Sequence, residues 1–196
     1  MRLALVSWHA MWRELGALSG DEDLFNRLVA AYGEKHRHYH TLQHLRECMQ
    51  LLDEVRMHAQ KPAEVELALW MHDAVYDPQR DDNEERSAEW AREVAGDRLH
   101  ALVMATKDHR AQDADAQLLV DIDLAILGSS PERFAESSRQ VRQEYAHVPD
   151  EEFRARRRGI LQAFLDRERI YQTEMLWKRF EVQARLNLTR AIAESA

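Results

Sequence analysis

The sequence predicts an all-helical protein, for three reasons. Four prolines, six glycines and almost no β-branched runs leave helix as the default state of the 196 residues. Apolar residues recur at three- and four-residue spacing in one segment after another. The interruptions fall where helix caps belong, as at Asp21, Gly96 and Ser130-Pro131. The expectation is one compact helical domain over 1–196, with eight to ten helices and no sheet. Its chemistry should lie in a core region of about 37–127, with helical extensions at both ends.

The elements follow in order. Asp21 caps a helix running to about Gly33, in which Leu24, Leu28 and Val29 repeat at helical spacing. A second helix starts near Thr41, where Leu42, Leu45, Met49, Leu52 and Val55 make an apolar stripe. Pro62 opens a third, VELALWMHDAVY, expected to end at Asp77-Pro78. The polar loop DPQRDDN leads to a fourth helix from Asn83 to Gly96, and Asp97 is placed to cap the next. Residues 115–127 are expected as one helix broken by Gly128. Ser130-Pro131 is a cap with proline at the first helical position. Asp150 and Thr173 open the last two long helices. Trp8, Trp12 and Trp177 are assigned to core packing, and no repeat or linker is visible.

Composition narrows the function. Hydrophobic residues at 45% and charged residues at 32% describe a globular chain, and no apolar run reaches the roughly 18–20 residues of a membrane span. The opening MRLALVSWHAMWRELG lacks the basic segment and cleavage site of a signal peptide. One cysteine, Cys48, excludes an internal disulfide and fits a reducing compartment, so a cytoplasmic protein is expected. A net charge of −8 argues against a nucleic-acid partner, because phosphate backbones repel an acidic surface. All but four of the 27 basic residues are arginine, and the RARRR run at 154–158 reads as a solvated face.

Polar residues inside apolar helices carry the chemistry. His72 sits on the stripe formed by Val65, Ala68 and Leu69, followed by Val75 and Tyr76. A lone histidine there is ordinarily a core residue satisfied by one hydrogen bond. Asp73 beside it changes the balance, since a buried carboxylate is costly unless paired or bound to metal. The anomaly recurs in LLVDIDLAILG, where Asp121 and Asp123 interrupt an apolar run. Two residues apart on a helix they point about 200° from each other, so only one can serve a given ion. His40 and His44, four apart, are expected to share a helix face. Separated histidines and carboxylates on different helices suit Mn, Fe, Zn or Mg, with open positions for water and substrate.

The order of these residues resembles the HD superfamily of metal-dependent phosphohydrolases. Arg37-His38-Tyr39-His40 is similar to that family's R-x-x-H entry, His72-Asp73 to its doublet and Asp123-Leu124 to its final aspartate. YHTLQH, HDAVYD, NEERSA, LLVDIDLAILG, VRQEY and EVQARLNL extend the likeness to a bacterial group of such proteins across nearly the whole chain. The resemblance implies an HD-type helical fold, a divalent metal held by His40, His72, Asp73 and Asp123, and hydrolysis of a phosphoester. His44 stands where many members carry an apolar residue, and the additional histidine, His109, is placed for a second ion or a phosphate. One extra histidine favours a mononuclear site. LVMATKDH also resembles a segment of alarmone hydrolases, but their acidic pair after the doublet reads Tyr76-Asp77 here, and its first acid is missing.

Further roles are assigned as candidates. Glu84, at the start of its helix, or Asp77 would handle the proton beside Asp73, although Glu84 and Glu85 also suit a helix N-terminus as such. Lys107 and Arg142 would neutralise phosphate charge, or belong to the surface and pair with acids. The expected activity is metal-activated attack of water on a small phosphoester, with nucleotides the leading substrate class. Two alternatives stand beside it: a non-catalytic helical sensor of metal or nucleotide, and a structural protein whose buried polar groups satisfy one another.

Overall fold

The computed structural model describes residues 3–194; among them are ten α-helices and no strand. The chain folds as two compact units, Met1–Asp123 and Leu124–Ala196. Of the candidate site residues, Arg142 alone belongs to the second. No helix among the described residues is long and apolar enough to cross a membrane.

The first unit holds α1 (Leu5–Glu14), α2 (Glu22–Ala31), α3 (Leu42–Val55), α4 (Pro62–Met71), α5 (Asn83–Ala95), α6 (Asp97–Asp108) and α7 (Ala114–Asp123). Helix α4 is its centre. Ala63 and every residue from Val65 to Met71 is buried, as expected of a helix that is apolar all round. Its buried Glu66 is neutralised by Arg56, 2.7 Å away. Trp70 meets Trp8 and Phe25 with ring centroids 5.3 and 5.5 Å apart, so Trp8 is core as the sequence indicates. Asp115 closes the loop before α4 by accepting hydrogen bonds from the Gln60 and Lys61 backbone N–H groups.

The caps hold where side chains carry them. Asp21 accepts from the Leu24 N–H, and Thr41 from the Gln43 N–H. The boundaries differ from expectation at several places. Thr41 is the N-cap of α3, so His40 precedes the helix and does not share a face with His44. Helix α4 stops at Met71, well short of Asp77-Pro78, with His72 as its C-cap. Its end is fixed by side chains: the His72 ring takes the Leu69 carbonyl, and Arg37 takes those of Asp73 and Ala74. Residues 115–127 are not one helix, because α7 ends at Asp123 and a 3₁₀ segment, Leu124–Gly128, follows. Gly96 (φ 82°), rather than Asp97, occupies the N-cap position of α6.

The second unit contains that 3₁₀ segment, α8 (Pro131–Glu144), α9 (Asp150–Leu165) and α10 (Glu174–Glu194). Ser130 caps α8 through the Arg133 N–H, with Pro131 at the first helical position. Asn187 of α10 donates to the Leu127 and Ser129 carbonyls, and the Tyr171 hydroxyl donates to the Leu124 carbonyl, so the 3₁₀ segment is held from two sides. Gly128 is required there, since a Cβ would lie 2.6 Å from that of Phe180.

Candidate metal centre

Four side chains from three segments of the first unit converge. His44 projects from the first turn of α3, His72 and Asp73 follow the last residue of α4, and Asp123 ends α7. His44 Nε2 lies 3.2 Å from His72 Nε2, 3.1 Å from Asp123 Oδ1 and 3.7 Å from Asp73 Oδ2. His72 Nε2 lies 3.0 Å from Asp73 Oδ2 and 3.6 Å from Asp123 Oδ1. Metal–ligand bonds of about 2.1 Å place neighbouring donors roughly 3.0–3.4 Å apart, and three of these five separations fall in that range with the other two at 3.6 and 3.7 Å.

The surroundings present these atoms as donors. His72 Nδ1 is 2.8 Å from the Leu69 carbonyl, which can only accept, so Nδ1 carries the proton and the neutral ring offers the lone pair of Nε2. The Tyr39 hydroxyl meets His44 Nδ1 at 3.2 Å and holds that ring likewise. His109 Nε2 sits 3.1 Å from Asp123 Oδ2, leaving Oδ1 toward the two histidines. The His109 backbone is left-handed (φ 48°, ψ 47°), a strained state for a non-glycine residue at the end of α6. Arg37, buried, donates to the Asp73 and Ala74 carbonyls at 2.6 and 3.2 Å and pairs with Glu34, fixing the backbone of the doublet.

Electrostatics and hydrogen bonding fit a cation. Asp73 Oδ2 is a buried carboxylate oxygen 3.0 Å from His72 Nε2. Burial opposes the charged form of His72, but Asp73 and Asp123 outweigh it and raise its pKa well above the usual imidazole range. Burial also opposes ionisation of the two acids. For Asp73 the His72, His40 and His44 rings overcome it, and for Asp123 the hydrogen bonds from His109, His44 and His72 do, so both stay well below the usual carboxylate range. Proton and metal therefore compete for one lone pair on His72. Two imidazoles with two carboxylates suit a borderline divalent ion.

No family model matches the chain, and no curated protein or solved structure is detectably similar to it. The site therefore rests on its geometry.

The predicted residues divide as follows. His72, Asp73 and Asp123 come together, and His44 joins them at the centre. His40 is adjacent, its ring centroid 6.2 Å from that of His44 and 4.1 Å from that of Tyr76. Asp121 is fully buried but lies outside the donor groups, as its half-turn offset from Asp123 requires. Glu84 is half-buried, and burial together with the charge of Asp73 raises its carboxyl despite a backbone hydrogen bond. Asp77 faces another cavity, shared with His36, Arg86 and Trp90, and its carboxylate accepts from the Gln79 N–H. Lys107 pairs with Glu85 on the surface. Arg142 is engaged by Asp150 and the Tyr145 and Val148 carbonyls, the pairing expected of a surface arginine.

Sequence reasoning passed over Tyr39 and Cys48. Cys48 Sγ lies 3.7 and 3.8 Å from the two ring nitrogens of His44, and His44, Cys48 and Asp123 form a second donor group beside His44, His72 and Asp73. One signal was present: Cys48 falls one turn after His44 within the apolar stripe of α3.

Proposed function

We propose that the chain is a metal-dependent phosphohydrolase of the HD type, with His44, His72, Asp73 and Asp123 holding one divalent ion and His40 beside it. A single observation carries this reading: the imidazole nitrogens of His44 and His72 lie 3.2 Å apart, and each is within 3.0–3.7 Å of a carboxylate oxygen of both Asp73 and Asp123. The order of the residues along the chain and its likeness to the HD pattern supply the reaction class.

An ion held there acidifies water and polarises a phosphoryl oxygen. The chain's own residues do the rest. Arg37 and the Leu69 carbonyl fix the end of α4, so that Asp73 and His72 keep one orientation. His109 anchors one oxygen of Asp123. Glu84, with its carboxyl raised by burial, holds a proton closer to neutrality than an exposed glutamate does and serves as the proton-handling group. The HD likeness implies a phosphoester and no particular substrate, and nucleotides are the first class to test.

The test is turnover of a panel of nucleotides and a chromogenic phosphomonoester by purified protein supplied with Mn, Zn, Mg or Co. Hydrolysis that disappears on chelation and in His72→Ala supports the proposal. Stoichiometric metal binding without hydrolysis of any of these would replace it with a metal-binding sensor module.

A further inference from the structure

We propose that Cys48 is a metal donor of this centre, which selects a thiophilic ion such as zinc, cobalt(II) or iron(II) over magnesium. The inference rests on the metal-centre reading and adds to it the class of ion. His44 and Cys48 stand one turn apart on α3 and are both buried, 2% and 3% exposed. Donor atoms of His44, Cys48 and Asp123 all lie within 4.8 Å of one another. The Sγ–Nε2 separation of 3.8 Å lies a few tenths of an ångström above the roughly 3.1–3.6 Å between neighbouring nitrogen and sulfur donors of one ion.

A buried cysteine ordinarily packs as a small apolar side chain. Cys48 instead lies against an imidazole that also touches two carboxylates and a second imidazole. Thiolate sulfur favours zinc and its borderline neighbours, whereas magnesium takes hard oxygen donors and retains water. On binding, the S–H bond gives its proton to solvent as the S–metal bond forms, and nothing is oxidised or reduced.

Cobalt(II) titration of the full-length protein separates the two claims. Visible d–d absorption that saturates reports an ion held by the protein, and a near-ultraviolet charge-transfer band reports a sulfur ligand. Cys48 is the sole cysteine, so that band has no other source in the chain. The unmodified protein should give both signals. Cys48→Ala and Cys48→Ser should keep the visible bands and lose the near-ultraviolet one. Their zinc affinity should fall at least about tenfold while manganese affinity changes less than about threefold. Visible bands without the charge-transfer band in the unmodified protein overturn the role of Cys48 and leave the metal centre standing. Absence of any saturable cobalt spectrum overturns both. The decisive spectrum belongs to the unmodified protein, so it does not depend on whether a variant folds.

Discussion

At the scale of single residues the proposed function separates metal binding from proton handling. Asp73→Ala removes an anionic donor, and under the proposed function activity should fall by several orders of magnitude, because the ion would be the source of a nucleophile at neutral pH. Glu84→Gln should cost about 10²–10⁴-fold and leave metal affinity unchanged. Steady-state kinetics at saturating metal, on variants whose melting curves confirm folding, separate the two. Near-normal turnover of Asp73→Ala beside an inactive Glu84→Gln would reverse the assignment. The histidine gives a pH signature. His72 is raised in the folded protein, so its protonated form stabilises the metal-free fold fully below the unfolded imidazole value of about 6.5, and that contribution is lost as pH rises through the raised value. Asp73 and Asp123 are lowered, so their contribution is present above the unfolded value of about 4 and lost as pH falls through the lowered ones. Metal needs the unprotonated ring, so the melting-temperature rise on adding zinc should be larger at pH 8 than at pH 6. An equal or larger rise at pH 6 would count against His72 as a ligand.

At the scale of elements, the donors sit where helices begin or end rather than inside them. The doublet was legible as two polar residues in an apolar run, but its position after the end of α4 was not. That boundary depends on Arg37, 36 residues before Asp73, whose guanidinium takes carbonyls that a longer helix would have used. The same limit hid the place of His40. Four-residue spacing implies a shared face only inside a helix, and the Thr41 cap places His40 outside α3. Helix geometry said only that Asp121 and Asp123 could not both serve one ion, and the choice of Asp123 came from its likeness to the final aspartate of the HD pattern. Arg37→Met should cost about 1.5–3 kcal/mol of stability, since it strips charge-assisted hydrogen bonds from buried carbonyls. It should also weaken metal binding with His72 and Asp73 intact. Calorimetric melting and zinc titration check both, and unchanged zinc affinity would mean that the doublet holds its position without the guanidinium.

At the scale of the whole molecule, helix content followed from composition and caps, and the apolar stripes located the core. What sequence could not reach were encounters set by folding: Tyr39 with His44, His109 with Asp123, and Cys48 facing the centre. The first two join residues whose spacing gives no hint of the partner, whereas Cys48 falls one turn after His44 on α3. A ligand bound only to the folded chain stabilises it by about 2.7 kcal/mol at one hundred times its dissociation constant. Chelation should accordingly lower the melting temperature and abolish turnover together, and one restored without the other on re-adding metal would separate the ion from catalysis. The central claim is that His44, His72, Asp73 and Asp123 hold an ion, and elemental analysis tests it most directly. Unmodified protein, His72→Ala and Asp73→Ala, purified identically and dialysed against metal-free buffer, are compared by inductively coupled plasma mass spectrometry. About one transition-metal ion per chain should remain in the unmodified protein, and less than about one tenth in either variant. A metal-free unmodified protein that cannot be reloaded, or equal retention in all three, contradicts the account.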